Sequence, residues 1–183
     1  SGGIGKRFGS KNPKQFFKIN GKTILEISVK KIEKSGFFQK IIIVSNDKYI
    51  ERTNKLFNHS NIIIVKGGKT RQESVLNGLN EAKKSNPKNV VIHDCVRPFF
   101  PSKILPEIIK RLDTYDCVVP TLNINDSVRL ISKDIYQDVN RENLKLIQTP
   151  QGFNFKKILE SHLNLGNRNC TDDSIISYQT NKS

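Results

Sequence analysis

The sequence predicts an α/β fold: a doubly wound, mostly parallel sheet with a β-hairpin arm leaving the body. Three observations lead there. Short β-branched runs alternate with helical patterns, the links between them are short, and the stretch 122–147 abandons that alternation for a period of two. Strand–helix–strand order with short links calls for right-handed crossovers, which lay helices against the sheet. A chain of 183 residues can bury one good core, so a single domain over 1–183 is expected.

Each element has its own signal. "KIIIVSN" (40–46), "NIIIVKGG" (61–68), "NVVIHD" (89–94) and "DCVVPT" (116–121) read as strands, and their near-continuous apolar character suits strands covered on both faces. Helices fall between them. The segment 24–32 gathers Ile24, Leu25, Ile27, Ser28 and Ile32 on one side. "TRQESVLNGLNEAKK" repeats Val75, Leu76, Leu79 and Ala82 at helical spacing, with Thr70 and Glu73 as a capping-box pair. "PSKILPEIIKRL" gives a third helix, entered through a proline. Within 122–147, Val128, Leu130, Ile135 and Val139 alternate with polar residues around a "SKD" turn, the pattern of a hairpin arm suited to dimer contact or to a sheet edge. Ligands of such sheets sit beyond the carboxyl ends of the strands. Gly67–Gly68, His93–Asp94 and 123–127 all follow strands in this way.

Bulk composition narrows the function classes. No apolar run reaches the roughly 18–20 residues that cross a bilayer, and no signal-peptide pattern is present, so a cytoplasmic protein with no membrane partner is expected. Cys95, Cys117 and Cys170 are odd in number and far apart, which indicates neither a disulfide framework nor a zinc site. The net charge of +14 could mark a nucleic-acid binder. The lysines are scattered, however, without a basic block or interleaved aromatics, so no nucleic-acid partner is expected. Surplus charge spread over solvated helix faces is the favoured reading, and a local cation excess that attracts a small polyanion stays open beside it. The segment before the first glycines lacks a strand, "TDDSIISYQTNKS" leads nowhere, and methionine is absent, so the chain reads as cut at both ends.

The opening "SGGIGKRFGSKNPKQFF" carries the most chemistry. Its glycines let consecutive N–H groups point at an anion. It is not a P-loop, because Gly5–Lys6 is followed by Arg7, and it is not a clean G-x-G-x-x-G, because Phe8 holds the third position. Arg7 and Lys14 add mobile positive charge, which a triphosphate undergoing substitution needs.

Five segments in order, "SGGIGKRFGSKNPKQFF", "GGKTRQESVLNGL", "HDCVRPF", "NRENLKLIQTPQGF" and "TDDS", resemble the 2-C-methyl-D-erythritol 4-phosphate cytidylyltransferases. Ribitol-5-phosphate cytidylyltransferases share most of these motifs. "RQESVLNGL", "RENL" and "TDD" lean to the first group, while the valine of "HDCVRPF" leans to the second. The resemblance implies a Rossmann-like sheet of the nucleotide-diphospho-sugar transferase kind. It also implies transfer of CMP from CTP to a polyol phosphate, a divalent cation such as Mg²⁺, and a homodimer through the 122–147 arm. Carried onto matched positions, Ser1 and Gly2 would line the base or ribose, and Gly3 and Gly5 would give N–H donors to the triphosphate. Arg7, Lys14 and Arg141 would be catalytic. Gly68 and Ser74 would read the cytosine. Asp94 would hold the ribose, the metal or the acceptor, with Arg97 beside it. Ser127, Arg141 and Thr149 would bind the acceptor, Arg141 in the neighbouring subunit's site. Outside that set, His93 reads as a buried hydrogen-bonding residue, Asp172 and Asp173 as a helix start, and Phe99 and Phe100 as core.

Overall fold

The computed structural model of the chain describes residues 12–57, 61–133, 135–165 and 170–180. Ser1, Gly2, Gly3, Gly5 and Arg7 lie outside the described residues. A 3₁₀ turn, Lys14–Phe16, leads into the small hairpin β1 (Lys18–Ile19) and β2 (Lys22–Thr23). Then come α1 (Ile24–Lys34), β3 (Ile41–Ser45), α2 (Ile50–Leu56), β4 (Ile62–Lys66) and α3 (Arg71–Lys83). β5 (Asn89–Ile92), α4 (Ile104–Arg111) and β6 (Cys117–Val118) complete the first half of the layer. β7 (Thr121–Asn123), β8 (Val128–Ser132), β9 (Ile135–Val139) and β10 (Lys145–Ile147) form the arm. β11 (Gln151–Asn154), α5 (Phe155–Leu163) and α6 (Asp173–Thr180) end the described chain.

Period-two alternation sorts the isoleucines of β3 between two layers. Ile41 and Ile43 join Phe16, Leu25 and Val29 on the side of α1, whereas Ile42 joins Leu79, Phe153 and Ile158 on the side of α3 and α5. Both faces are therefore covered, as the apolar runs require. β3 and β4 pair in parallel, from Ile41 opposite Ile62 to Ser45 opposite Lys66. β5 and β6 flank β11, which runs antiparallel to both. This inserted strand is not marked by any β-branched run. It contains Gly152, where a Cβ would come within 2.3 Å of Ile108 Cγ2, so α4 rests directly on its backbone.

Helix starts follow the sequence signals. Thr23 and Glu26 form a reciprocal capping box: Thr23 N–H donates to Glu26 Oε2 at 2.7 Å and Glu26 N–H to Thr23 Oγ1 at 3.1 Å. Thr70 Oγ1 caps Glu73 N–H at 3.1 Å, but the Glu73 carboxylate reaches one residue further back, accepting from Lys69 N–H at 2.6 Å. It can do so because Gly68 has no side chain: a Cβ there would lie 2.2 Å from Glu73 Cβ.

The arm is a pair of ladders. β7 pairs β10, and beyond them β8 pairs β9 across a turn in which Lys133 has a φ of 36°. Phe99 corrects its expected place: Phe100 is buried, but Phe99 is 74% exposed. Two adjacent residues of an irregular segment, held here between Pro98 and Pro101, need not share a face. No described helix is long and apolar enough to cross a membrane.

Candidate active site

Four chain segments converge at the carboxyl ends of the strands. The first is the turn after β4. Gly67 N–H extends the ladder to Ser45 O at 2.7 Å, and Gly68 N–H donates to Ser74 Oγ at 3.1 Å. Ser74 Oγ in turn donates to Thr70 O at 2.8 Å, so this buried hydroxyl stitches the turn to the first turn of α3. Asn77 Nδ2 closes the turn from below on Lys66 O at 3.0 Å.

The second segment follows β5. Asp94 N–H donates to Thr149 Oγ1 at 3.3 Å, and Thr149 Oγ1 shares a 3.1 Å hydrogen bond with His93 Nδ1. Arg97 Nε lies 3.4 Å from Asp94 Oδ2, and Arg97 Nη1 donates to Gln148 Oε1 at 2.7 Å. Burial is the main reason that His93 is lowered to about 4; Asp94 and the backbone of Arg97 oppose it, and the charges of Arg97 and Lys31 add to it. The imidazole, edge-on to Phe100 at 4.8 Å between centroids, is thus a neutral support for Thr149.

Thr149 opens the third segment, joined to Pro150 by a cis peptide bond and leading into Gln151. The fourth is the start of α6. Asp172 Oδ1 accepts from Ser174 N–H at 2.8 Å, the helix-start role expected of it. Asp173 does more. It has no exposed surface, and its two oxygens take Arg71 Nη2 at 2.6 Å and His162 Nε2 at 3.1 Å. Burial alone would raise this carboxyl, yet His162 and Arg71 together hold it below its ordinary value.

These segments enclose a cleft of about 240 Å³ lined by Arg71, Asp94, Arg97, Thr149, Gln151 and Asp172 among others. Of the residues expected at the site, the structure brings Asp94, Arg97 and Thr149 into this cleft, while Gly68 and Ser74 sit at the start of the helix that supplies Arg71. Lys14 begins the turn whose Phe16 packs in the cluster shared with Cys95, the neighbour of Asp94. Ser127 and Arg141 lie on the arm, exposed and outside the cleft of their own chain, with Arg141 Nη1 donating to Asn125 O. A larger groove of about 660 Å³ beside α1, lined by Lys22, Lys30, Lys31 and Lys34, holds none of the expected residues.

Arg71, Gln151 and His162 were not legible as site residues. The signal for Arg71 is tertiary, since its partner lies 102 residues away. Among the described residues, Arg71 Nη1, His93 Nε2 and Gln151 Oε1 are buried polar atoms without a hydrogen-bond partner. Unmet polar demand of about 1–3 kcal/mol per group at Arg71 and Gln151, both in the cleft lining, fits a surface completed by a polar ligand. No group of three or more His, Cys, Asp or Glu residues among the described ones could hold a metal alone. Asp94 nevertheless places a carboxylate, a hard oxygen donor of the kind Mg²⁺ takes, at the cleft.

The profile of the 2-C-methyl-D-erythritol 4-phosphate cytidylyltransferase family matches residues 1–180. The bifunctional enzyme IspD/IspF of Pelagibacter ubique is 40% identical over 182 residues, which cover 100% of this chain and 48% of that one. The 2-C-methyl-D-erythritol 4-phosphate cytidylyltransferase of Thermosipho melanesiensis is 34% identical, with 96% of this chain and 80% of that one covered. The solved structure of the bifunctional IspDF from Campylobacter jejuni superposes with a TM-score of 0.84 at 27% identity, over 98% of this chain and 45% of that one. The chain thus spans about half the length of these bifunctional relatives.

Proposed function

Because the chain belongs to the 2-C-methyl-D-erythritol 4-phosphate cytidylyltransferase family, we propose that it transfers CMP from CTP to 2-C-methyl-D-erythritol 4-phosphate, releasing pyrophosphate, in non-mevalonate isoprenoid precursor synthesis. The observation that carries this reading is the meeting of Asp94, Arg97 and Thr149, drawn from two motifs 55 residues apart, in one cleft at the strand ends. The names of the relatives favour methylerythritol phosphate over ribitol phosphate as acceptor.

In the proposed reaction an oxygen of the acceptor phosphate attacks the α-phosphorus of CTP. The bond to the β-phosphate breaks, and pyrophosphate leaves with that electron pair. The attacking oxygen is already anionic at neutral pH, so no general base is needed, and the neutral His93 is consistent with this. Catalysis then rests on bringing two polyanions together and on stabilising charge at phosphorus. Within the cleft, Arg71 is paired with Asp173 and Arg97 with Asp94, so their charge is largely committed. The further cations of this scheme are Arg7 and Lys14 from the opening segment and Arg141 from a neighbouring arm. Ser1, Gly2, Gly3 and Gly5 give the nucleotide backbone contacts; Gly68 and Ser74 frame the base; Ser127 and Thr149 bind the acceptor. Mg²⁺ held by Asp94 and the phosphates would neutralise charge on the phosphoryl oxygens. The enzyme of this proposal is a cytoplasmic homodimer.

The test offers CTP, Mg²⁺ and one acceptor at a time to the protein and follows pyrophosphate. Release with methylerythritol phosphate and not with ribitol phosphate is expected. Lys14→Ala should slow turnover about 10²–10³-fold at unchanged thermal stability. Turnover only with ribitol phosphate would overturn the acceptor, and an undiminished rate in Lys14→Ala would overturn the role of that lysine.

A further inference from the structure

The two walls of the cleft come from distant parts of the chain, and polar ties join them. One wall is the start of α3, which follows the Gly67–Gly68 turn. The other is the segment Thr171–Asp172 ahead of α6. Arg71 on the first wall donates to Asp173 on the second, and the next residue, Gln72, donates through Nε2 to Cys170 O. His162 of α5 holds the other oxygen of Asp173 and so fixes the carboxylate from behind.

We propose that Arg71 is a positioning residue: anchored by Asp173 and His162, it sets the separation of the cleft walls for the cytidylyl transfer proposed above, on which this inference rests.

The physical grounds are these. A carboxylate with no exposed surface is tolerated only when its charge is paired and its oxygens are bonded, and both conditions are met at Asp173. The guanidinium side is different. The Arg71 side chain is 34% exposed and lines the cleft, so the pair reaches from a sealed interior to the ligand surface. Burial alone would lower the guanidinium, but Asp173 first, and then Asp94 and Asp172, raise it. Arg71 therefore shares the cleft with Asp94, which follows β5, and with Asp172 of the second wall, as a permanently charged spacer. Folding has other support at this place, since α6 also packs on α5, and Ile158 of α5 and Ile176 of α6 are both fully buried. An arginine at this spot has more to do than hold a helix down.

The experiment compares Arg71→Met, Arg71→Lys, Asp173→Asn and the double variant Arg71→Met with Asp173→Asn. For Arg71→Met, kcat should fall about 10²-fold while the Kd for CTP moves less than about threefold, as expected when a remote contact misplaces reacting groups. Arg71→Lys should recover part of the loss. The double variant should be no slower than the slower single variant, because both changes break one device. Losses that multiply in the double variant, or a loss confined to CTP binding, would overturn the proposal. Hydrogen exchange supplies a readout independent of turnover. Arg71→Met should speed exchange at amides 171–176, and Asp173→Asn should speed it at 68–74; unchanged exchange in both regions would overturn the clamp. Wild-type protein inactive on CTP with either acceptor would instead refute the family-based reaction, and the exchange data would still judge the clamp. If Arg71→Met fails to fold, Arg71→Lys and Asp173→Asn carry the same comparison.

Discussion

His93 ties the stability of the fold to pH. Its folded value of about 4 lies below the ordinary 6.5 because burial disfavours the charged ring. Below pH 6.5 the unfolded chain therefore binds a proton that the folded chain refuses. Stability contributed by this residue is complete above about pH 6.5 and is lost progressively as pH falls towards 4, by up to roughly 3 kcal/mol. Asp173 acts in the same direction at lower pH: its folded value is lowered, so its contribution is lost as acid protonates it. Urea midpoints measured from pH 7.5 to 4.5 should fall, and the fall above pH 5 should flatten in His93→Asn, where the amide can still meet Thr149. An equally steep profile in that variant would assign the acid sensitivity elsewhere. Site residues differ in how far they can be read without the fold. Asp94 is legible because it follows a strand, where ligands of such sheets sit, and Arg97 only through the motif "HDCVRPF" that carries the family resemblance. Arg71, Asp173 and His162 are not, because each looks like an ordinary helix residue until three helices bring them together.

At the scale of elements, what can be read is what has a period. The isoleucine runs of β3 and β4 are strands because alternate side chains must be buried on opposite faces, and the structure distributes them in that way. The helices at 24–34 and 71–83 follow from apolar spacing and caps, and the one at 104–111 from apolar spacing. β11 escapes this logic: its four residues include a glutamine and a glycine, and its antiparallel place between β5 and β6 is set by packing. Gly152 is there because α4 needs the space. Gly152→Ala would place a methyl within 2.3 Å of Ile108 Cγ2 and 2.9 Å of Leu112 Cδ1. We expect a loss of about 1–3 kcal/mol, the usual cost of overfilling a packed core. Adding Ile108→Ala to it should return part of that loss, since the clash and the void offset each other. Strictly additive losses in denaturant titrations would show that α4 had moved away. Because β11 leads from Thr149 and Gln151 of the cleft, the same variant should also weaken CTP binding.

At the scale of the whole molecule, one chain does not assemble the proposed site. Ser127 and Arg141 stand on an arm that leaves the body, outside the cleft formed by Asp94 and Thr149. The arm is also unusually apolar for an exposed element: Leu130, Ile131, Ile135 and Tyr136 lie in its ladders, with Ile131 61% and Tyr136 71% exposed. Apolar surface of this kind is typical of surfaces covered by a partner. A second copy related by a two-fold axis would cover both arms alike and could carry each Arg141 to the other chain's cleft. The consequence is measurable by complementation. Lys14→Ala and Arg141→Ala should each be nearly inactive alone, but unfolding and refolding them as an equal mixture would give heterodimers in which one site draws Lys14 and Arg141 from the two unmutated positions. Random pairing in a two-fold dimer predicts recovery of about a quarter of wild-type activity. If Arg141 served its own chain's cleft, every site in the mixture would lack one of the two cations, and no activity would return. Replacing Leu130, Ile131 and Tyr136 by serine should meanwhile yield a monomer by sedimentation. That monomer should still bind CTP, whose proposed contacts lie in one chain, while losing turnover, which needs two.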